Sequence, residues 1–91
     1  MKTSSEIPDP IFELLSTVGP LESVSNKGFH CELRAVTNAG QTIVGFIVST
    51  STYETDGILD TPTGPEDKRH MFYVSLSEAF DSFKERSTQN A

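Results

Sequence analysis

Phe29-His30-Cys31-Glu32-Leu33-Arg34-Ala35-Val36-Thr37-Asn38-Ala39-Gly40-Gln41-Thr42-Ile43-Val44-Gly45-Phe46-Ile47-Val48-Ser49-Thr50 is the stretch that decides the fold. In its first arm, 29–37, Phe29, Cys31, Leu33 and Ala35 alternate with His30, Glu32 and Arg34, the two-residue repeat of a strand with one buried and one wet face. Asn38-Ala39-Gly40 interrupts the repeat with a short loop in which Gly40 can take a positive φ. In the second arm, 41–50, Val44, Phe46 and Val48 share one face and Ile43 and Ile47 the other. A strand apolar on both sides belongs in the middle of a sheet. Gly45, inside that strand, marks a bend or a close backbone approach. The stretch therefore predicts an antiparallel hairpin with a central second strand.

On the N-terminal side, Asp9 suits a helix N-cap, Pro10 the first helical position and Glu13 the positive end of the helix dipole. Ile11, Leu14, Leu15 and Val18 recur at helical spacing before Gly19-Pro20, which predicts a helix over 10–18. Leu21 to Ser25 change to a two-residue period ahead of the turn-prone Ser25-Asn26-Lys27-Gly28, so a short strand is expected over 21–25. Residues 51–69 are polar, with Ile58-Leu59 marking a short strand over 57–60 within a loop. Phe72, Val74 and Leu76 alternate with Met71, Tyr73 and Ser75, predicting a strand over 70–76. Ser75-Leu76-Ser77-Glu78 has capping-box spacing, and Leu76, Ala79, Phe80 and Phe83 form one apolar stripe, predicting a helix over 77–86. The expected class is α+β: an antiparallel, strongly bent sheet or small barrel of four to five strands, with a helix at each end. A single globular domain over 9–86 is expected between flexible tails at 1–8 and 87–91.

Composition limits the function classes. Among the 91 residues, 35% are hydrophobic and 22% charged, enough to bury one core and too polar for lipid. The longest apolar run, Ile43 to Val48, falls far short of the about 20 residues a membrane helix needs. The first residues show no apolar secretory segment, and a cytoplasmic protein is expected. Thirteen acids against seven bases give a net charge of −6, which disfavours direct contact with nucleic acid and steers the chain toward a basic partner.

No catalytic, metal or cofactor site is expected, and the chain reads as a protein without enzymatic activity. His30 and the single cysteine, Cys31, are neighbours on a strand, so their side chains leave from opposite faces and form no thiolate and base pair. His70 would lie across the sheet from His30, but two histidines alone make a poor metal site. Asp56-Gly57 with Asp60 lacks the alternating acids of a calcium loop, and no glycine loop followed by Lys-Ser or Lys-Thr holds phosphate.

The pattern Gly40-x-x-Ile43-x-Gly45-x-Ile47, with the alternating strand Cys31 to Thr37 and Asn38 before it, resembles the first motif of Sm-like proteins, including the bacterial Hfq branch. The likeness covers 31–47 and bears on fold only. It implies a five-stranded, strongly bent small barrel behind an N-terminal helix, with Gly45 where the second strand curves. The family's acidic position aligns with Ser51 and its nucleotide-contacting Asn with Thr55, and only Tyr53 falls near a family aromatic. The second family motif is absent from Arg69 to Leu76, so the uridine pocket is not carried over.

The function expected from these features is binding: a small acidic module or regulator that presents a sheet edge or an apolar patch to a partner protein. The candidate contact residues are the acids Glu54, Asp56, Asp60, Glu66 and Asp67, read otherwise as a solvated loop, and the set Tyr53, Lys68 and Arg69. That second set would contact a phosphate and stack a base, or sit against its own neighbours Glu66 and Asp67. Two alternatives accompany this reading. One is an acidic mimic of nucleic acid that blocks a nucleic-acid-binding or defence protein, as small phage-type antagonists do. The other is an Sm-like RNA-binding ring oligomer.

Overall fold

A computed structural model describes residues 5–26, 28–55 and 63–89. The hairpin of the opening stretch is its centre. Strands β3 (Phe29–Thr37) and β4 (Ile43–Thr52) pair antiparallel from Phe29↔Thr52 to Thr37↔Ile43, with a bulge beside Val36. The turn between them is built by Asn38, whose Oδ1 accepts the backbone N–H groups of Gly40 at 2.9 Å and Thr42 at 3.0 Å. The positive φ falls on Gln41, at 61°, not on Gly40, because this side-chain acceptor draws the loop around itself. Gln41 and Thr42 thus belong to the turn, and the second strand begins two residues later than expected.

β4 is central, in the order β1-β5-β4-β3-β2, with every pairing antiparallel. Its neighbours Ile47 and Val48 point to opposite faces and are both fully buried, which is the two-sided burial its sequence implies. β5 (Asp67–Tyr73) flanks it, starting three residues before the expected strand and ending three before its expected end. The sheet is open: β1 (Ser5–Ile7) and β2 (Ser16–Asn26) are its two edges, so the small-barrel form of the expectation is corrected.

The N-terminal region departs most from its reading. The helix expected over 10–18 shrinks to α1 (Asp9–Phe12), and Ser16 to Val18 belong to β2. A longer helix would have had nothing to bury Leu14 against, since that side chain is 81% exposed. Ladder hydrogen bonds between Ser16–Val18 and Ala35–Thr37 replace it. The strand expected over 21–25 is the second half of this longer strand, and Gly19-Pro20 forms a bulge within it rather than a stop. Asp9 is not the N-cap, a position Pro8 takes, and its carboxylate is used elsewhere. The tail expected over 1–8 is corrected for Ser5–Ile7, which pair with His70 to Phe72 of β5. The strand expected over 57–60 lies outside the described residues.

One face of the sheet carries the core. Phe29, Cys31 and Leu33 of β3 and Val48 of β4 meet Tyr73 of β5, with Val24, Phe46 and Met71 packed at the margin. Helix α2 (Leu76–Gln89) closes this layer with Ala79 and Phe83. It is capped by Ser75, whose Oγ accepts the Glu78 N–H at 3.4 Å, and it continues past the expected end at 86 into the predicted tail. Tyr73 Oη donates to Ser82 Oγ at 2.7 Å, and Arg86 Nε donates to the same oxygen at 3.1 Å, fixing the helix over the sheet. Burial pushes the Cys31 thiol up to about 11.

Candidate functional site

The other face is polar, and strand register assembles it. Because side chains alternate, residues directly opposite one another across neighbouring strands share a face. His30, Ser51 and Lys68 form one cross-strand row, Glu32, Ser49 and His70 the next, and Arg34, Ile47 and Phe72 a third. The chain leaves β1 at one edge of the sheet and enters β2 at the other. On that path it carries Asp9, Phe12 and Glu13 over the polar face and encloses a groove of about 500 Å³.

Two hydrogen-bonded clusters line the groove. In the first, Glu32 accepts from His30 Nε2 at 2.9 Å and from Arg34 Nε at 2.8 Å, and Arg34 also donates to the Gly19 carbonyl at 3.2 Å. Burial opposes the charge on Glu32, but the hydrogen bonds from His30 and Arg34 outweigh it and hold the carboxyl below the usual carboxylate range. In the second, His70 is 4% exposed and uses both ring nitrogens: Nδ1 lies 2.8 Å from Ser49 Oγ and Nε2 lies 2.7 Å from Asp9 Oδ1. The ring of Phe12 stacks on the imidazole, with centroids 3.9 Å apart and planes 4° from parallel. Ser51 Oγ donates to Glu66 Oε2 at 2.7 Å at the groove's end.

The expected contact residues divide. Tyr53, Glu66 and Lys68 line the groove. Asp67 and Arg69 alternate with Lys68 and leave from the opposite face, where Arg69 Nε lies 3.5 Å from Asp67 Oδ2. Glu54 is exposed beyond the end of β4, and Asp56 and Asp60 lie outside the described residues. His30 and Cys31 do part to opposite faces, one into the groove and one into the core. His30 and His70 share a face but are separated by β4, each bonded to its own carboxylate. Among the described residues, no group of His, Cys, Asp and Glu is arranged to hold a metal ion. The reading of the sequence missed Asp9, Ser49 and His70 as one unit. Their only sequence signal was Ser and His at alternating strand positions, and the register that joins them is not written locally.

The chain matches no protein-family model, and no curated protein or solved structure proves similar to it. Among the described residues, no helix is long and apolar enough to cross a membrane.

Proposed function

We propose that this chain works as a small binding module for a partner protein, and that β2 is the edge it presents. The observation that carries this reading is the state of that strand: Ser16–Asn26 pairs with β3 along one side, and among the described residues nothing pairs along the other. Such an edge offers a row of backbone donors and acceptors to an extended segment. The exposed side chains Val18 and Leu21 within the strand, and Leu14 just before it, supply the apolar contacts that backbone pairing lacks. The opposite edge, β1, is three residues long and offers little length for pairing.

The Gly19-Pro20 bulge divides β2, leaving Glu22–Asn26 as the regular arm beside the apolar group. A net charge of −6 favours a partner segment that is basic. The test is affinity capture from the native host with the full chain and with a Val18→Lys/Leu21→Lys variant, followed by direct binding to the purified partner. Binding that falls at least tenfold in the variant supports β2 as the edge. Equal binding by both proteins removes it. A doubled mass by light scattering, abolished by the same variant, would make the partner a second copy of this chain.

A further inference from the structure

We propose that Ser49, His70 and Asp9 form an acyl-transfer site, with Ser49 as the nucleophile and small esters as the substrate class. The site lies on the polar face, apart from the β2 edge, and goes beyond the binding reading.

An ionised Asp9 carboxylate only accepts hydrogen bonds, so the bond at 2.7 Å places a proton on His70 Nε2. In the neutral ring Nδ1 is then the lone-pair nitrogen, and at 2.8 Å it must receive the Ser49 hydroxyl proton. This leaves the Ser49 oxygen with its own lone pairs uncommitted to the histidine. A nucleophile within reach of a base, itself oriented by a third group, is the arrangement that activates a serine. The two ring nitrogens are exchanged relative to the order used by the chymotrypsin-type triad, but the proton path is the same.

The surroundings support the assignment. Phe12 stacked on the imidazole and burial of the ring fix its orientation, so Asp9 and Phe12 act as positioning residues. Ser49 lines the groove and is only half-buried, so a substrate can reach it. Lys68 lines the same groove one row away and, among the described residues, makes no side-chain hydrogen bond or ion pair. Its ammonium is available to the negative oxygen that forms during attack.

In the first step Ser49 Oγ bonds to the ester carbonyl carbon, the carbonyl π pair moves onto oxygen, and the hydroxyl proton passes to His70 Nδ1. The bond from that carbon to the leaving oxygen then breaks, and the departing alcohol takes the proton from His70. Water repeats the sequence on the acyl-serine, restoring Ser49 and releasing the acid. Ester and water give acid and alcohol, with no further reactant.

The experiment uses the full chain, a fluorophosphonate probe and 4-nitrophenyl acetate. The folded protein should gain one phosphonyl group, located at Ser49 by peptide mass mapping. Ser49→Ala, which removes a single oxygen atom, should take no label and lose hydrolysis by about 10²-fold or more. Asp9→Asn should lower the rate at least tenfold, with Asp9→Glu restoring part of it. Circular dichroism confirms that each variant is folded. A folded wild type that takes no label at Ser49 overturns the proposal, as does hydrolysis by Ser49→Ala at the wild-type rate. In that case the trio only pins α1 to the sheet. Neither outcome bears on the β2 edge, whose variants change other residues.

Discussion

The ring of Phe72 occupies the space that a side chain at Gly45 would fill. The two residues sit in neighbouring rows of β4 and β5 on the polar face, and a β-carbon at Gly45 would also lie 3.0 Å from the Tyr73 carbonyl. Gly45→Ala should therefore destabilise the fold by about 1–3 kcal/mol through overpacking. Urea midpoints measure this. Phe72→Ala in the same chain should recover part of the loss, because the two changes relieve one contact. Additive losses in the double variant would show that the ring is not the obstacle.

The sequence marked Gly45 as a bend or a close backbone approach; the Tyr73 carbonyl is such a backbone neighbour, but the nearer obstacle, the Phe72 ring, is a side chain the local pattern did not name. Local pattern gave the strand and its faces where side chains alternate against one core, as from Phe29 to Ala35; in β5 it gave the strand but not the face, because Met71 and Tyr73 turn to the core while Phe72 turns to the polar side and Val74 and Leu76 stay exposed. It failed between Asp9 and Val18, where helical spacing of Ile11, Leu14 and Val18 competes with ladder bonds to Ala35–Thr37 that only the folded sheet supplies. The candidate site was hidden for the same reason. Ser49 and His70 are twenty-one residues apart and meet through register, and Asp9 reaches His70 from sixty-one residues away.

Cys31 lies at the centre of the helix-covered layer, and burial holds its thiol at about 11. Thiolate is then scarce at neutral pH and the sulfur is out of reach of reagents. The native protein should react with a disulfide reagent at least about a hundredfold more slowly than the unfolded chain. The rate should rise in parallel with unfolding as urea is added. Fast labelling of the fully folded protein would contradict the placement of Cys31 beneath Ala79 and Phe83.

The turn at 38–42 holds two opposing effects. Gln41 sits at a φ of 61°, a conformation that costs a residue with a β-carbon about 1–2 kcal/mol. Replacing it by glycine removes that strain but adds about 0.5–1 kcal/mol of lost chain entropy on folding. Gln41→Gly should thus raise stability by roughly 0.5 kcal/mol. Asn38→Ala should lower it by about 1 kcal/mol, because two backbone N–H groups lose their acceptor, while Asn38→Asp keeps the oxygen and most of the stability. Thermal or urea melts of the three variants decide the order; a loss on Gln41→Gly would mean that its side chain makes a contact worth more than the strain.

Glu32 gives the fold a definite response to acid. Its carboxyl is buried enough to resist charge, yet the hydrogen bonds from His30 and Arg34 dominate and lower its pKa from the ordinary 4.5. A group whose folded value lies below its unfolded value adds stability above the unfolded pKa. That contribution disappears as the pH falls through the folded value. Glu32→Gln removes the charge and with it this contribution, so the variant should be less stable than wild type at pH 7 by about 1 kcal/mol, a figure kept low because the cluster is partly open to water. Below pH 4.5 the gap should narrow as the wild-type carboxyl takes up its proton, and it should be smallest at the most acidic pH at which both proteins remain folded. Urea midpoints for both proteins at pH 7, 5 and 3.5 measure it. A gap that stays constant or widens in acid would mean that Glu32 is held by shape alone and that the charges of His30 and Arg34 do not lower its pKa.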